Sequence, residues 1–248
     1  MKRKHNPLSD VPRAPCTVDS CAGLAFKPKE PLPVKSFMMY IVGAPGSGKS
    51  NLWQSFLTSK DPVYYRGFFD QIDLVSGSLQ TISNKITKQL PEKQLHNQLS
   101  DTIVHKIITS MREGQENKNN LLVLDDVIAD IKRSKVLMAI FLNRRHVTHS
   151  SKKKGNGGLA TIITSQKYNA LPLTYRNACS DVIVFKTSNA AERKAIKEEL
   201  MAELSSEEQD RLMEEAWAEP YSFLYIKVNA SEKYYIKFDH AYFALSVW

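Results

Sequence analysis

The chain has 248 residues and a formal net charge of +8, and 42% of its residues are hydrophobic, which is enough to bury a substantial core. Its longest nearly apolar stretch, Ser36 to Ala44, is far shorter than the roughly 20 residues of a membrane span, and no apolar segment follows the basic N-terminus as in a signal peptide, so we expect neither a membrane span nor secretion. Three cysteines, with no partners at zinc-ligand spacing, exclude a disulfide framework and a structural zinc site.

The charge and proline content divide the chain into three parts. Residues 1–35 hold seven Lys/Arg, three Asp/Glu and six of the eleven prolines, without apolar periodicity, which predicts a flexible basic arm. Residues 36–186 are strongly basic and residues 187–248 are acidic. The basic middle favours a polyanionic partner, because neutralised phosphates release their counterions. A solvated basic surface would show the same excess.

Short apolar runs alternate with helical patterns through the middle of the chain. Because each run is unbroken, it is typical of a strand buried on both faces, as in a parallel sheet covered by helices. The predicted strands are residues 36–42, 67–75, 121–124, 159–164 and 181–185, and the predicted helices between them are residues 51–59, 92–111 and 135–146.

The composition changes after Lys186. Residues 190–217 are charged and helix-forming, and residues 221–228 and 233–238 alternate apolar and polar side chains around a polar turn, which predicts a β-hairpin. We therefore expect an α/β fold with two parts after the arm. These are a core with a mostly parallel sheet over residues 36–186, and a small helical and hairpin extension over residues 187–248.

A glycine-rich loop follows the first core strand. The segment Gly43-Ala-Pro-Gly-Ser-Gly-Lys-Ser50 fits the phosphate-loop (P-loop) pattern G-x-x-x-x-G-K-[ST] and stands between a predicted strand and a predicted helix. Its glycines let backbone N–H groups surround a phosphate, Lys49 would reach the β- and γ-phosphates, and Ser50 would bind Mg²⁺. The predicted nucleotide-binding residues are Gly43, Ala44, Pro45, Gly46, Ser47, Gly48, Lys49, Ser50 and Asn51.

Two carboxylates end the strand at residues 121–124. We expect Asp125 to hold Mg²⁺ through water, and Asp126 to orient or deprotonate the water that attacks ATP. Alternatively, Asp126 caps the following helix. The long separation between Lys49 and Asp125 predicts a further strand between the P-loop strand and the acid strand, as in RecA-like ATPases. No N-K-x-D motif follows that would select guanine.

Three further features have both a functional and an ordinary interpretation. Gln166 follows the strand at residues 159–164, where an amide could contact the attacking water or simply be a polar loop residue. Arg145 closes the helix at residues 135–146, either as a dipole partner or as an arginine finger for a neighbouring subunit. The lysines of the following loop would contact DNA phosphates or only solvent; they are Lys152, Lys153 and Lys154.

Taken in order, these motifs resemble the poxvirus-type genome-packaging ATPases of large DNA viruses and virophages, in the FtsK–HerA superfamily. The motifs are Gly43 to Ser50, Leu121 to Asp126, Asn143-Arg-Arg-His146, Thr161 to Gln166 with Leu171 to Ala178 after it, and Ser222-Phe-Leu-Tyr-Ile226. The resemblance covers residues 36–239 and implies a RecA-like P-loop ATPase core. One departure is that the superfamily often has Glu where Asp126 stands, which leaves open whether Asp126 is a base or a metal ligand.

The resemblance implies a function and a setting. It implies a ring of five or six subunits that uses ATP and Mg²⁺ to pump double-stranded DNA into a preformed capsid, with capsid vertex or portal proteins as partners. The expected location is the host cytoplasm, in a viral factory, or the virion. In the implied site, Arg145 is the finger, and the residues that act on the nucleotide or its Mg²⁺ are Lys49, Ser50, Asp125, Asp126 and Gln166. The rival hypotheses are a nucleotide or small-molecule kinase, and a basic DNA-binding scaffold with a vestigial nucleotide site.

Overall fold

The structure, a computed structural model, describes residues 2–4, 28–34, 36–82, 84–113, 119–148 and 158–242. Within these ranges ten strands form one sheet: β1 (Lys2–Lys4), β2 (Met38–Val42), β3 (Gln71–Ser76), β4 (Leu95–His96), β5 (Asn119–Asp125), β6 (Gly158–Ser165), β7 (Asp181–Phe185), β8 (Phe223–Lys227), β9 (Tyr234–Ile236) and β10 (Asp239–Tyr242). The helices of the same ranges are α1 (Lys49–Thr58), α2 (Asn84–Thr87), α3 (Asp101–Glu113), α4 (Ile128–Arg133), α5 (Val136–Leu142), α6 (Leu173–Arg176), α7 (Ala190–Leu200) and α8 (Ser206–Ala216). None of these helices is long and apolar enough to cross a bilayer.

The predicted parallel sheet is confirmed. The five predicted core strands all lie in it, and its parallel part has the order β7-β2-β6-β5-β3-β4. Alternate residues of each strand enter separate cores on the two faces. In β5, Leu122 and Leu124 pack with α3 and α5 on one face, and Leu121 and Val123 pack with α1 on the other. The unbroken apolar pattern therefore reflects burial on both sides.

A strand does separate the P-loop strand β2 from the acid strand β5, as expected. This strand is β6, which pairs in parallel with both of its neighbours. The strand at 71–76, which precedes the acid strand along the chain, lies on its far side instead. As a result, the carboxyl ends of β2, β6 and β5 stand side by side at one edge of the sheet.

The C-terminal extension continues the core sheet. The predicted hairpin forms from β8 and β9, and β8 also pairs with β7 in antiparallel register. The helix-forming residues 190–217 form two helices, α7 and α8. The division falls at Ser205, whose side chain accepts from the Glu208 backbone N–H while the Glu208 carboxylate accepts from the Ser205 N–H. This capping box starts a new helix.

The described part of residues 1–35 differs from the predicted flexible arm. The strand β1 pairs with β10 at the sheet edge, and Leu32 is buried. The Tyr65 hydroxyl donates to the Pro33 carbonyl at 2.7 Å, and the Tyr225 hydroxyl donates to the Pro31 carbonyl at 3.0 Å. Because buried hydroxyls need acceptors, these bonds fix the segment at residues 28–34 against the core. The rest of the predicted arm lies outside the described residues.

Two predicted helices are shorter in the structure. The helix expected over residues 92–111 begins only at Asp101, because residues 95–96 pair with β3 as the short strand β4. The Ser100 hydroxyl, just before the helix, accepts from the Ile103 N–H of its first turn. The helix expected over residues 135–146 ends at Leu142, where the Asn143 side chain donates to the Ala139 carbonyl at 2.8 Å. That bond closes the last turn.

Candidate nucleotide site

The P-loop connects β2 to α1. Gly46 and Gly48 have φ angles of 76° and 104°, a left-handed conformation that glycine adopts without a Cβ clash. The helix begins at Lys49 without a side-chain cap and without an acidic residue in its first turn. Its first N–H groups and the positive end of its dipole are therefore available to an anion.

Lys49 lies inside this loop. Its side-chain Nζ donates to the Gly43 carbonyl at 2.6 Å and to the Ala44 carbonyl at 3.1 Å, and the residue is only 9% exposed. Burial lowers the pKa of the Lys49 ammonium, while the charges of Asp126 and Asp125 act in the opposite direction. The P-loop ammonium and both predicted carboxylates thus belong to one electrostatic cluster.

Asp125, at the end of β5, is fixed by three different elements. Its Oδ1 accepts from Thr164 Oγ1 of β6 at 2.8 Å and from Trp53 Nε1 of α1 at 3.1 Å, and its Oδ2 accepts from Ser76 Oγ of β3 at 3.3 Å. Burial raises the pKa of Asp125, and the same three hydrogen bonds lower it. The carboxylate is therefore held in one orientation toward the loop.

The three residues that position Asp125 were not predicted from the sequence; they are Trp53, Ser76 and Thr164. Trp53 follows Lys49 by four positions, so both lie on the same face of α1, and its indole N–H is a polar group in an otherwise buried ring. That spacing was a usable signal. Ser76 and Thr164 had none, because each contacts Asp125 only through the pairing order of the sheet.

The side-chain oxygens of three residues at the site suit a metal–nucleotide complex. The Ser47 hydroxyl is buried and has no hydrogen-bond partner within the described part of the chain. The Ser50 hydroxyl in the first turn of α1 and the Asp125 carboxylate are hard oxygen ligands, the type that Mg²⁺ prefers. These residues fit a bound nucleotide with a divalent cation.

Asp126 and Gln166 meet at the ends of neighbouring strands. Gln166 Nε2 donates to Asp126 Oδ2 at 2.7 Å, and both side chains are exposed. The backbone of Asp126 is left-handed, with φ of 56°, and its N–H donates to Thr164 Oγ1 at 3.0 Å. Strain of this kind concentrates at functional sites. The carboxylate is thus turned away from β5 toward the strand that carries Gln166.

The alternative role of Asp126 as a helix cap is wrong. The next helix, α4, begins at Ile128, its capping position is Val127, and no side chain there makes a capping hydrogen bond. The Asp126 carboxylate bonds to Gln166 instead.

Arg145 is distant from the P-loop of its own chain. The preceding carbonyl, that of Arg144, accepts from the Leu159 N–H at 2.8 Å, at the amino end of β6. At the other end of β6, the Ser165 carbonyl accepts from the Gly43 N–H of the P-loop, and this end lies about 20 Å from Leu159 along the strand. The Arg145 side chain is exposed. It therefore does not contribute to the nucleotide site of the chain that carries it.

Two other arginines of the motifs that carry the resemblance, Arg144 and Arg176, are held by internal contacts. The Arg144 guanidinium donates to the Ser36 carbonyl at 2.7 Å and to the Phe141 carbonyl at 3.0 Å. Arg176 forms two hydrogen bonds with the Glu199 carboxylate, at 2.8 and 2.6 Å. The predicted DNA-contacting residues Lys152, Lys153 and Lys154 lie outside the described residues.

Comparisons with known proteins agree on the fold. The model of the NB-ARC domain matches residues 28–150, which hold the P-loop and the acid strand. No protein of curated function matches the sequence.

Several solved structures resemble the chain. The DNA-packaging ATPase B204 from Sulfolobus turreted icosahedral virus is 17% identical, covering 86% of this chain and 100% of its own, with a TM-score of 0.59. The genome packaging NTPase B204 from Sulfolobus turreted icosahedral virus 2, in complex with ATP-gammaS, is 18% identical over 83% and 97% of the two chains, with a TM-score of 0.55. The pCW3 conjugation coupling protein TcpA with ATPgS is 13% identical over 83% and 60%, with a TM-score of 0.51.

These likenesses establish a P-loop NTPase fold. The chain spans almost the full length of the viral packaging NTPases that it resembles. The resemblance seen in the sequence is therefore confirmed at the level of the fold.

Proposed function

We propose that the chain is an ATPase that moves double-stranded DNA and packages a viral genome into a preformed capsid. The observation that carries this proposal is the cluster of Lys49, Asp125, Asp126 and Gln166 at one edge of the sheet. A phosphate-binding ammonium beside a carboxylate–amide pair suits hydrolysis of a terminal phosphate. The fold shared with proteins described as genome-packaging NTPases supports the same conclusion.

In this proposal the loop binds the phosphates and Lys49 neutralises charge on the β- and γ-phosphate oxygens. The present acceptors of Lys49, the carbonyls of Gly43 and Ala44, would give way to phosphate oxygens. Ser50 and Asp125 would hold Mg²⁺, which when bound neutralises further charge on the same oxygens. Trp53, Ser76 and Thr164 keep the Asp125 carboxylate in position for this role.

Asp126 would then accept the proton of the attacking water, with Gln166 orienting that water. The two side chains are exposed and hydrogen-bonded to each other, so a water molecule can reach both. The hydrogen bond from Gln166 fixes the Asp126 carboxylate. Because this bond engages Oδ2, the proton of the water would go to Oδ1.

We expect Asp126→Asn to bind ATP with nearly unchanged affinity but to hydrolyse it about 10²- to 10⁴-fold more slowly. The amide keeps the shape of the side chain and loses its basicity. ATP affinity by calorimetry and single-turnover hydrolysis measure the two effects separately. Asp130→Asn, which removes a carboxylate on the nearby helix α4, is the matched control and should keep full activity. If affinity and hydrolysis fall together in Asp126→Asn, Asp126 is a metal ligand.

Rings, DNA and capsid partners are part of the proposal. A ring of five or six subunits would supply Arg145 to the nucleotide site of a neighbour, which suits its exposure and its distance from its own P-loop. The basic excess of residues 36–186, including Lys152, Lys153 and Lys154, would contact DNA phosphates. Capsid vertex or portal proteins would anchor the ring, in the host cytoplasm or the virion.

The test of this function is ATPase activity with and without double-stranded DNA. We expect DNA to raise the rate, independently of its sequence and less strongly as salt increases, because phosphate contacts release counterions. Phosphate transfer to a small acceptor would show a kinase instead. DNA binding without any turnover would show a scaffold whose nucleotide site is vestigial.

A further inference from the structure

Tyr221, in the turn before β8, is an unusual residue that none of the above explains. It is 71% exposed, more than any other large hydrophobic residue in the part of the chain that the structure describes. Its φ angle is 60°, a left-handed conformation that costs free energy for a side chain of this size. An exposed aromatic ring held in a strained conformation has to be explained by something other than core packing.

The ring of Tyr221 lies against the P-loop. A Cβ atom placed on Gly48 would be 3.4 Å from Cδ1 of Tyr221 and 3.5 Å from Cε1 of Phe185. This proximity follows from the sheet, because β8 runs antiparallel to β7 and pairs Phe223 with Phe185. The turn that enters β8 therefore stands at the same edge as the P-loop.

The turn holds its strained conformation through its neighbours. The Ser222 N–H donates to the Glu219 carbonyl at 3.2 Å, and Ser222 and Phe223 are buried. The Phe223 ring packs on Phe185 with centroids 5.3 Å apart. Tyr221 is thus fixed by residues on both sides, and one edge of its ring covers Gly48 while the rest faces solvent.

The orientation of a nucleotide follows from the other residues of the site. Asp126 and Gln166 end β5 and β6, so the terminal phosphate lies on that side of the P-loop strand β2. Tyr221 lies on the other side of β2, beyond β7. A nucleotide bound with its γ-phosphate near Asp126 extends its base toward β7 and β8, where the exposed ring stands.

We propose that Tyr221 is the surface on which the nucleotide base stacks. This inference rests on the proposed function, since it assigns the base end of the same site. Stacking on an aromatic ring gives affinity but little discrimination, because every base has a π-face. The site therefore accepts ATP and GTP with similar affinity.

The test compares ATP with tripolyphosphate, which has the phosphates but no base, by calorimetry in the presence of Mg²⁺. Tyr221→Phe keeps the ring and should bind ATP like the native protein. Tyr221→Gly removes the ring and should bind ATP about 10- to 100-fold more weakly, with unchanged tripolyphosphate affinity. Leu142→Ala, at a residue that is 65% exposed, is the control and should change neither affinity.

Tyr221→Gly also separates binding from folding. Glycine tolerates the left-handed backbone, so the variant should melt close to the native temperature while its ATP affinity falls. Native ATP affinity in Tyr221→Gly, or an equal loss for ATP and tripolyphosphate, would overturn the stacking role. The proposed function fails on a different result, namely that Lys49→Ala binds both ligands as tightly as the native protein.

Discussion

Lys49→Ala should reduce the ATPase rate by at least about 10²- to 10³-fold, the loss expected when one pre-positioned donor to transition-state charge is removed. The Lys49 ammonium is the buried cation of the site, held inside the loop by the Gly43 and Ala44 carbonyls and close to Asp125 and Asp126. No other side chain of the loop carries a positive charge. Steady-state phosphate release is the measurement.

The variant should remain folded. Burial lowers the pKa of Lys49, which means that keeping its charge inside the loop opposes folding, and alanine removes that cost. Thermal melting should therefore give a transition close to that of the native protein. Lys194→Ala, which removes a 75% exposed lysine of α7, is the matched control and should keep full activity. A soluble Lys49→Ala protein with native turnover would contradict the assignment of the P-loop.

The sequence predicted those parts of the fold whose signals are local. The apolar runs of β2 and β5 are visible because both faces of each strand are buried, and the P-loop is visible because its backbone requires glycines. The division between α7 and α8 was also readable, since Ser205 and Glu208 have capping-box spacing. The capping-box spacing is easily overlooked there, because charged, helix-forming residues continue on both sides of Ser205.

Other features depend on which strands are neighbours, which no local pattern specifies. Ser76 and Thr164 contact Asp125 only because β3 and β6 flank β5. Tyr221 contacts Gly48 only because β8 pairs with β7. The residues around Tyr221 in the sequence do not indicate its left-handed backbone. The packing of residues 28–34 arises from buried tyrosine hydroxyls distant in sequence. The sequence therefore predicts the groups that act on the nucleotide, but only some of the contacts that hold them in place.

Arg145→Ala should reduce the ATPase rate of the assembled protein by about 10³- to 10⁵-fold, the effect of an arginine supplied in trans. Arg145 is exposed and stands at the end of the sheet opposite its own P-loop, so in the proposed ring it would act on the site of a neighbouring subunit. Removing the Arg145 side chain should therefore leave the ATP affinity of the isolated subunit unchanged. Arg133→Ala, which removes an exposed arginine of the nearby helix α4, is the control and should keep full activity.

Mixing two inactive variants tests the trans arrangement directly. Arg145→Ala subunits keep an intact nucleotide site, and Lys49→Ala subunits still offer Arg145, so a ring that contains both has some complete sites. With equal amounts and random assembly, about one interface in four joins an intact site to an intact finger, and activity should return toward that fraction. Coassembled mixtures that stay inactive, or a fully active Arg145→Ala protein, would show that Arg145 is not the finger. Arg144 and Arg176 would then have to leave the Ser36 carbonyl and the Glu199 carboxylate to act in its place.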